Sequence, residues 1–210
     1  MKKMKNYLTE LIGTFFLVLV IGLTGNPIAI GCILMTMVYM GGHISGAHYN
    51  PAVTLALLIR KKIEAKDAAM YMIFQIVGAT LAAVVFYLIY GKTFAPAPAA
   101  GFHYNLKPLM IEMLFTFALT SVVLNVATHS KTAGNSFYGL AIGFTVLAAA
   151  FAGGPISGGA YNPAVAIGPI LIDTIMGGNS MAPIWIYIVG PFTGSVVAAL
   201  LFKNINPQEA

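Results

Sequence analysis

A ten-residue segment that occurs twice constrains the fold of this chain more than any other feature. The two copies, Ile44–Val53 and Ile156–Val165, agree at eight of ten positions and lie 112 residues apart, about half the chain. A single short motif of this kind would be weak evidence for any fold, but one copy in each half indicates a duplicated structural unit.

Each copy contains the tripeptide Asn-Pro-Ala. Asparagine is a good N-cap and proline is favoured at the first helical position, so each tripeptide predicts the start of a helix. The first is followed by an apolar stretch that ends at Ile59, which as a helix would cover about 13 Å, half of a bilayer core. The residues concerned are Asn50, Pro51, Ala52, Asn162, Pro163 and Ala164.

The composition of the chain indicates whether its surface faces water or lipid. The chain is 59% hydrophobic and only 8% charged, whereas a soluble domain carries about 25% charged residues, so most of its surface must face lipid. The apolar runs are long and lack the alternation of a membrane β-strand, which favours helices over a barrel.

The sequence therefore predicts an all-α membrane protein with six transmembrane helices and two re-entrant half-helices. We treat residues 1–210 as one domain, with a first repeat over about 1–91 and a second over about 108–210. The glycine-rich stretches that precede the half-helices are expected to be irregular backbone. The spans are predicted at about 7–24, 28–41, 68–90, 109–127, up to 153 and 183–202, and the half-helices at 51–59 and up to 172.

The charges predict how the repeats are oriented. Three spans per repeat is an odd number, so the second repeat is inverted relative to the first. With both termini in the cytoplasm, the inward-facing segments hold nine of the eleven lysines and arginines, in agreement with the positive-inside rule. The half-helices then enter from opposite faces, and their Asn-Pro-Ala ends meet near the membrane midplane. The two outward-facing basic residues are Lys92 and Lys107.

Two helix N-termini that face each other concentrate positive partial charge, which repels cations and protons but not neutral molecules. The amides of Asn50 and Asn162 would donate hydrogen bonds into the lumen. The alternative is that both asparagines only cap helices, although capping does not explain two cap sites at mid-membrane.

These residues closely resemble the aquaporins, or major intrinsic proteins. The resemblance rests on the paired tripeptides, His43-Ile-Ser-Gly46, the membrane glutamates Glu10 and Glu112, and Trp185–Phe192 in the last span. It implies six tilted helices and two half-helices around a pore, in a homotetramer with one pore per subunit and no cofactor.

Three ionisable residues have two interpretations each. Glu10 and Glu112 are either structural acceptors for backbone N–H groups of the irregular loops or ion-coupling carboxylates of a transporter. Their symmetric placement and the resemblance favour the structural role. By resemblance His43 lies on the cytoplasmic side of the pore, but a packed histidine is equally compatible with the sequence.

The chain departs from the family at the selectivity filter. Most members have an arginine after the second Asn-Pro-Ala, where this chain has Val165. By comparison with the family, the other filter positions are Ile30, Ala150 and Gly159. All four side chains are small or aliphatic, so we expect a wider, less polar constriction without a fixed positive charge.

We therefore expect a passive channel in the plasma membrane for water and small neutral solutes, with ammonia or urea ahead of glycerol. The segment 162–169 is most like that of tonoplast-type aquaporins. The alternatives are a coupled secondary transporter and a structural membrane protein with an occluded pore. The sequence has no catalytic, metal-binding or nucleic-acid-binding pattern, and its single cysteine, Cys32, allows no intrachain disulfide.

Overall fold

The structure, a computed structural model, describes residues 2–101 and 106–209, so residues 102–105 of the loop predicted between the repeats lie outside it. The described part contains eight α-helices and short 3₁₀ helices at Ser130–Thr132 and Pro207–Glu209. The α-helices are α1 Lys2–Thr24, α2 Pro27–Ser45, α3 Pro51–Ile59, α4 Ala65–Tyr90, α5 Leu106–Thr128, α6 Tyr138–Ser157, α7 Pro163–Ile175 and α8 Ile184–Ile205.

Six of these helices, α1, α2, α4, α5, α6 and α8, are long and apolar enough to cross a membrane. The other two are shorter, with 9 residues in α3 and 13 in α7. At a rise of about 1.5 Å per residue they reach only part of the way through a bilayer core of about 30 Å. The prediction of six spans and two half-helices is confirmed.

Both half-helices begin where the caps predict. The Asn50 side-chain oxygen accepts a hydrogen bond from the Ala52 N–H at 2.9 Å. The Asn162 oxygen accepts one from the Ala164 N–H at 3.0 Å. In each case proline is the first helical residue, where its missing N–H costs nothing. The half-helix α3 has the predicted bounds.

The predicted ends of α2 and α6 were wrong. Both helices continue through their glycine-rich stretches and end at Ser45 and Ser157, where they are capped by Gly46 and Gly158 with φ of 90° and 89°. Glycine disfavours a helix by about 1 kcal/mol per residue. Inside a bilayer, however, backbone groups have no water to bond, so the hydrogen bonds of the continued helix outweigh that cost.

Close helix packing depends on glycines at the crossing points. The main pairs are α1 with α4, its counterpart α5 with α8, and α2 with α6 across the halves. A methyl group at Gly78 of α4 would lie 2.3 Å from the Leu11 carbonyl oxygen, and one at Gly194 of α8 would lie 2.2 Å from the Met113 carbonyl oxygen. Small residues of this kind allow helix backbones to approach each other in membranes.

The C-terminal segment holds the far end of α3 in place. The Arg60 side chain is buried, with its Cζ 4.3 Å from the centre of the Phe202 ring. Its guanidinium donates to the Glu209 backbone carbonyl, and its Nη2 lies 3.7 Å from the Glu209 carboxylate. The Ser130 N–H donates to the same carboxylate at 3.0 Å. One C-terminal residue therefore links α3 to the loop after α5.

This link makes stability depend on pH. Hydrogen bonds from the Ser130 hydroxyl and N–H, followed by the charges of His129 and Arg60, lower the pKa of Glu209 below its ordinary value of 4.5. The carboxylate therefore stabilises the folded state above that value, and the stabilisation fades as the pH falls through the lowered pKa.

We predict that Glu209→Gln lowers the melting temperature of the purified protein at neutral pH, because Arg60 loses its anionic partner. The difference from the wild type should shrink in strongly acidic buffer, where Glu209 is itself protonated. Thermal unfolding in detergent measures this, with the exposed Gln208→Ala as the control. Equal melting temperatures at neutral pH would contradict the prediction.

Candidate functional site: the meeting point of the two half-helices

The two Asn-Pro-Ala ends meet through a crossed pair of hydrogen bonds. The Asn50 amide donates to the Tyr161 carbonyl at 2.9 Å, and the Asn162 amide donates to the Tyr49 carbonyl at 2.8 Å. Each asparagine thus bonds the residue that precedes the other. The N-termini of α3 and α7 are therefore held against each other inside the protein, as the charge argument predicts.

Each asparagine side chain has one N–H group that is not used in the hydrogen bonds between described residues. The side-chain oxygen caps its own helix, and one amide N–H is used in the crossed pair. A side-chain amide has two N–H groups, so within the described residues one N–H on each of Asn50 and Asn162 remains for a molecule in the lumen. The two helix dipoles add positive potential at the same point.

The backbone before each asparagine is strained. Tyr49 and Tyr161 have φ of 48° and 50°, a left-handed conformation that is uncommon for residues with a side chain. Each ring is buried, and each hydroxyl donates to a helix carbonyl at 2.9 Å, that of Met37 or of Ala149. The strain sets the direction of the tyrosine carbonyls that accept the crossed hydrogen bonds.

Glu10 holds the loop that precedes Asn50 in place. Its carboxylate accepts four hydrogen bonds, from the Ser45 hydroxyl at 2.6 Å, the His48 N–H at 3.0 Å, the Tyr49 N–H at 2.7 Å and the Gln75 amide at 2.8 Å. The side chain is fully buried. A buried carboxylate at this depth is tolerated because all its partners are donors that would otherwise lack an acceptor.

Glu112 holds the second loop in the same way. Its carboxylate accepts hydrogen bonds from the Ser157 hydroxyl at 2.7 Å, the Ala160 N–H at 3.0 Å and the Tyr161 N–H at 2.6 Å. It too is fully buried. Among the described residues neither Glu112 nor Glu10 forms an ion pair, so both carboxylates are committed to donors of the protein itself.

A narrow cavity of about 30 Å³ lies next to the crossed pair of hydrogen bonds. Both asparagines line it, as do three of the four expected filter residues, Ile30, Gly159 and Val165. Among the described residues that line this cavity, α6 contributes Ile142 and Val146 but not Ala150. The lining side chains are otherwise mainly aliphatic, as the filter positions predict.

A wider cavity of about 300 Å³ lies towards the face that carries both chain termini. His43 is exposed and lines this wider cavity, together with polar residues such as Thr132, Asn135 and Tyr138. His48 lines the narrow cavity instead, and its Nδ1 lies 3.1 Å from the Thr54 hydroxyl. The structure thus places His43 beside open space rather than inside the packed core.

Two tyrosines at the site were not predicted from the sequence. Tyr49 and Tyr161 supply the carbonyls of the crossed pair, and the signal for them was present, since tyrosine precedes the asparagine in both copies of the repeated segment. Gln75 was missed too. Its amide donates to both Glu10 and Thr54, and a single buried glutamine in a long apolar span was the available signal.

We predict that Glu112→Gln destabilises the protein by about 1–3 kcal/mol, the cost of leaving a buried N–H without an acceptor. The glutamine amide offers one acceptor oxygen where the structure uses two. Thermal unfolding in detergent measures the effect, with Glu64→Gln as the control because the Glu64 side chain is 79% exposed. Unchanged stability would instead favour the interpretation of Glu112 as an exchanging carboxylate.

Comparison with known proteins agrees with this geometry. The family model described as Major intrinsic protein matches residues 1–202. The chain is 36% identical to "Aquaporin NIP1-4" of Oryza sativa subsp. japonica, over 95% of this chain and 76% of that protein. It is also 36% identical to "Glycerol uptake facilitator protein-like 6" of Lactiplantibacillus plantarum, over 98% of this chain and 100% of that protein.

A solved structure shows the same fold. The aquaglyceroporin from Plasmodium falciparum superposes with a TM-score of 0.87 at 23% identity, over 99% of this chain and 98% of that one. The family match over nearly the whole chain, the two relatives and the paired half-helices lead to one assignment. The chain belongs to the major intrinsic protein family, to which the aquaporins belong.

Proposed function

We propose that the protein is a passive membrane channel for water and small neutral solutes. The observation that carries the proposal is the crossed pair between Asn50 and Asn162, which brings two helix N-termini together beside a narrow cavity. Structural caps alone would not require two such ends to meet. The membership in a family of channels, rather than enzymes, supports the same function.

The geometry supports the exclusion of ions and protons. A water molecule between Asn50 and Asn162 would accept from the remaining amide N–H of each, and its own hydrogens would point away from both. It could then not pass a proton along a chain of waters. The two helix dipoles repel a cation at the same point, so exclusion does not depend on a charged filter residue.

The solute range follows from the lining. Ile30, Gly159 and Val165 give the narrow cavity no fixed charge, so small uncharged molecules meet no electrostatic barrier there. Relatives bear the names of aquaporins and of a glycerol uptake facilitator-like protein, which supports water and glycerol among the solutes. Ammonia and urea are smaller than glycerol, so they are expected to pass more easily.

The coupled transporter is less well supported. It requires a carboxylate that exchanges an ion or proton, yet Glu10 and Glu112 are buried and their oxygens accept hydrogen bonds from the loops that they hold. Protonation of either carboxylate would remove an acceptor from the backbone N–H groups of the strained loop beside the asparagines. A fixed structural role fits both residues.

Assembly and placement belong to the same proposal. The outward faces of the long helices carry large exposed apolar side chains, among them Leu88, Leu114 and Phe151, which suit lipid or neighbouring subunits. We infer a homotetramer in the plasma membrane, with each chain a single domain of two repeats. Nine basic residues in the segments assigned to the cytoplasm support cytoplasmic termini.

We predict that proteoliposomes containing the protein shrink faster than empty vesicles after an osmotic step, measured by stopped-flow light scattering. The rate should be independent of a pH gradient, since no carboxylate is exchanged. The same preparation should admit ammonia and urea faster than glycerol. Water permeability equal to that of empty vesicles would contradict the proposed function, and a rate driven by a pH gradient would support the transporter.

We predict that Val165→Arg lowers urea and glycerol permeability while water permeability is largely kept, because the guanidinium narrows the cavity and still donates hydrogen bonds to water. Val165→Leu is the matched control, since it adds bulk without charge. Solute permeabilities are measured in the same proteoliposome assay. Unchanged solute permeability in Val165→Arg would show that the filter does not lie at this position.

A further inference from the structure

The two asparagines at the meeting point are held by different sets of hydrogen bonds. In both, the side-chain oxygen caps the helix and one amide N–H bonds across to the other repeat. Asn50 has a further bond, because its backbone carbonyl accepts from the Thr54 hydroxyl at 3.0 Å as well as from the Thr54 N–H at 2.9 Å. The position that corresponds to Thr54 after the second Asn-Pro-Ala is Ala166. Asn162 therefore lacks this hydroxyl.

The Thr54 hydroxyl is joined in turn to the carboxylate that holds the loop before Asn50. The Gln75 amide of α4 donates to the Thr54 hydroxyl oxygen at 3.0 Å and to the Glu10 carboxylate at 2.8 Å. The His48 Nδ1 lies 3.1 Å from the same hydroxyl oxygen. Thr54 and Gln75 are both fully buried. One chain of hydrogen bonds thus runs from Glu10 to Asn50, and we call its middle part, Gln75 and Thr54, the polar bridge.

The second repeat has no counterpart of the polar bridge. In each repeat a tyrosine hydroxyl from the facing helix donates to the serine carbonyl that precedes the irregular loop, Tyr71 to Ser45 and Tyr187 to Ser157. Four residues after these tyrosines stand Gln75 in α4 and Pro191 in α8. Neither Pro191 nor Ala166 has a polar side-chain atom. The carboxylate of Glu112 is therefore not linked in this way to the first turn of α7.

The polar bridge acts on the backbone that carries the Asn50 amide. The side-chain amide is planar, so once its oxygen and one N–H are bound, the direction of the second N–H depends on the position of the Asn50 backbone. Tyr49, the residue before it, has φ of 48°, and such a strained conformation persists only where the surrounding contacts over-determine it. Thr54 supplies one of these contacts from α3, and Gln75 ties that contact to α4.

The direction of this free N–H matters more for proton exclusion than for water flow. In the proposed channel, a water molecule that accepts from both asparagines is turned so that it cannot relay a proton. If the Asn50 backbone shifts, water can still pass, but the molecule at the centre is no longer held in that orientation. Loss of the bridge should therefore change two measurable permeabilities, those for protons and for water, to different extents.

We propose that Thr54 and Gln75 are positioning residues for Asn50, and that proton exclusion in this channel depends on the polar bridge of the first repeat. This inference rests on the proposed function, because it concerns how the channel excludes protons. Neither residue is among the described residues that line the narrow cavity. Both therefore act through Asn50 rather than by contact with the solute.

The test is Thr54→Val in proteoliposomes, because valine has nearly the shape of threonine and lacks the hydroxyl. We expect proton permeability, followed with an enclosed pH-sensitive dye, to rise severalfold, while water permeability by light scattering stays close to that of the wild type. Thr54→Ser keeps the hydroxyl and should restore low proton permeability. Thr174→Val is the matched control, since Thr174 lies in the other half-helix and donates to the Ile170 carbonyl four residues earlier at 2.8 Å. Both of its permeabilities should match the wild type.

Gln75→Leu removes the same bridge from α4, and it carries the same expectation if Thr54→Val does not reconstitute as a water channel. Because both residues belong to one chain of hydrogen bonds, the double variant should pass no more protons than the more permeable single variant.

Wild-type proton permeability in a bridge variant that conducts water would overturn the proposal, and so would an equal rise in Thr174→Val or a failure of Thr54→Ser to restore exclusion. Loss of water permeability in both bridge variants would also overturn it, since the bridge would then be needed for conduction itself. Wild-type water permeability no greater than that of empty vesicles would instead overturn the proposed function, so the two failures are distinguishable.

Discussion

Two loops of irregular backbone at membrane depth are the constraint on which the rest of this structure depends. Inside a bilayer an unpaired N–H costs several kcal/mol, and the segments 46–50 and 158–162 are too short and too bent to pair their own groups. Glu10 and Glu112 supply the missing acceptors. Each carboxylate can remain buried because each is surrounded by donors that need it.

Everything at the centre of the lumen follows from those loops. The carboxylates hold Tyr49 and Tyr161 in a left-handed conformation, which aims their carbonyls at the opposite asparagine. The asparagines can then cap their own helices and bond across the centre at once. A helix cap is a local feature worth about 1 kcal/mol, but here the same two side chains also fix the register of the two repeats.

The sequence predicted the parts of this arrangement that depend on local chemistry. The caps at Asn50 and Asn162 and the length of α3 follow from neighbouring residues, and the inverted repeat follows from the odd number of spans in each half. The crossed bonds to Tyr161 and Tyr49 could not be predicted, because they join residues 111 and 113 positions apart. The extension of α2 to Ser45 was missed because propensity scales describe helices in water, where a glycine run can bond to solvent.

The cation barrier of the proposed channel does not need a charged filter residue. Cations would be repelled where the dipoles of α3 and α7 meet at Asn50 and Asn162, since the N-terminal ends of both helices carry positive partial charge. The crossed hydrogen bonds hold those two ends together, and they do not involve the residue that follows the second Asn-Pro-Ala. Val165 in place of an arginine would therefore change which neutral solutes pass before it changes the exclusion of cations.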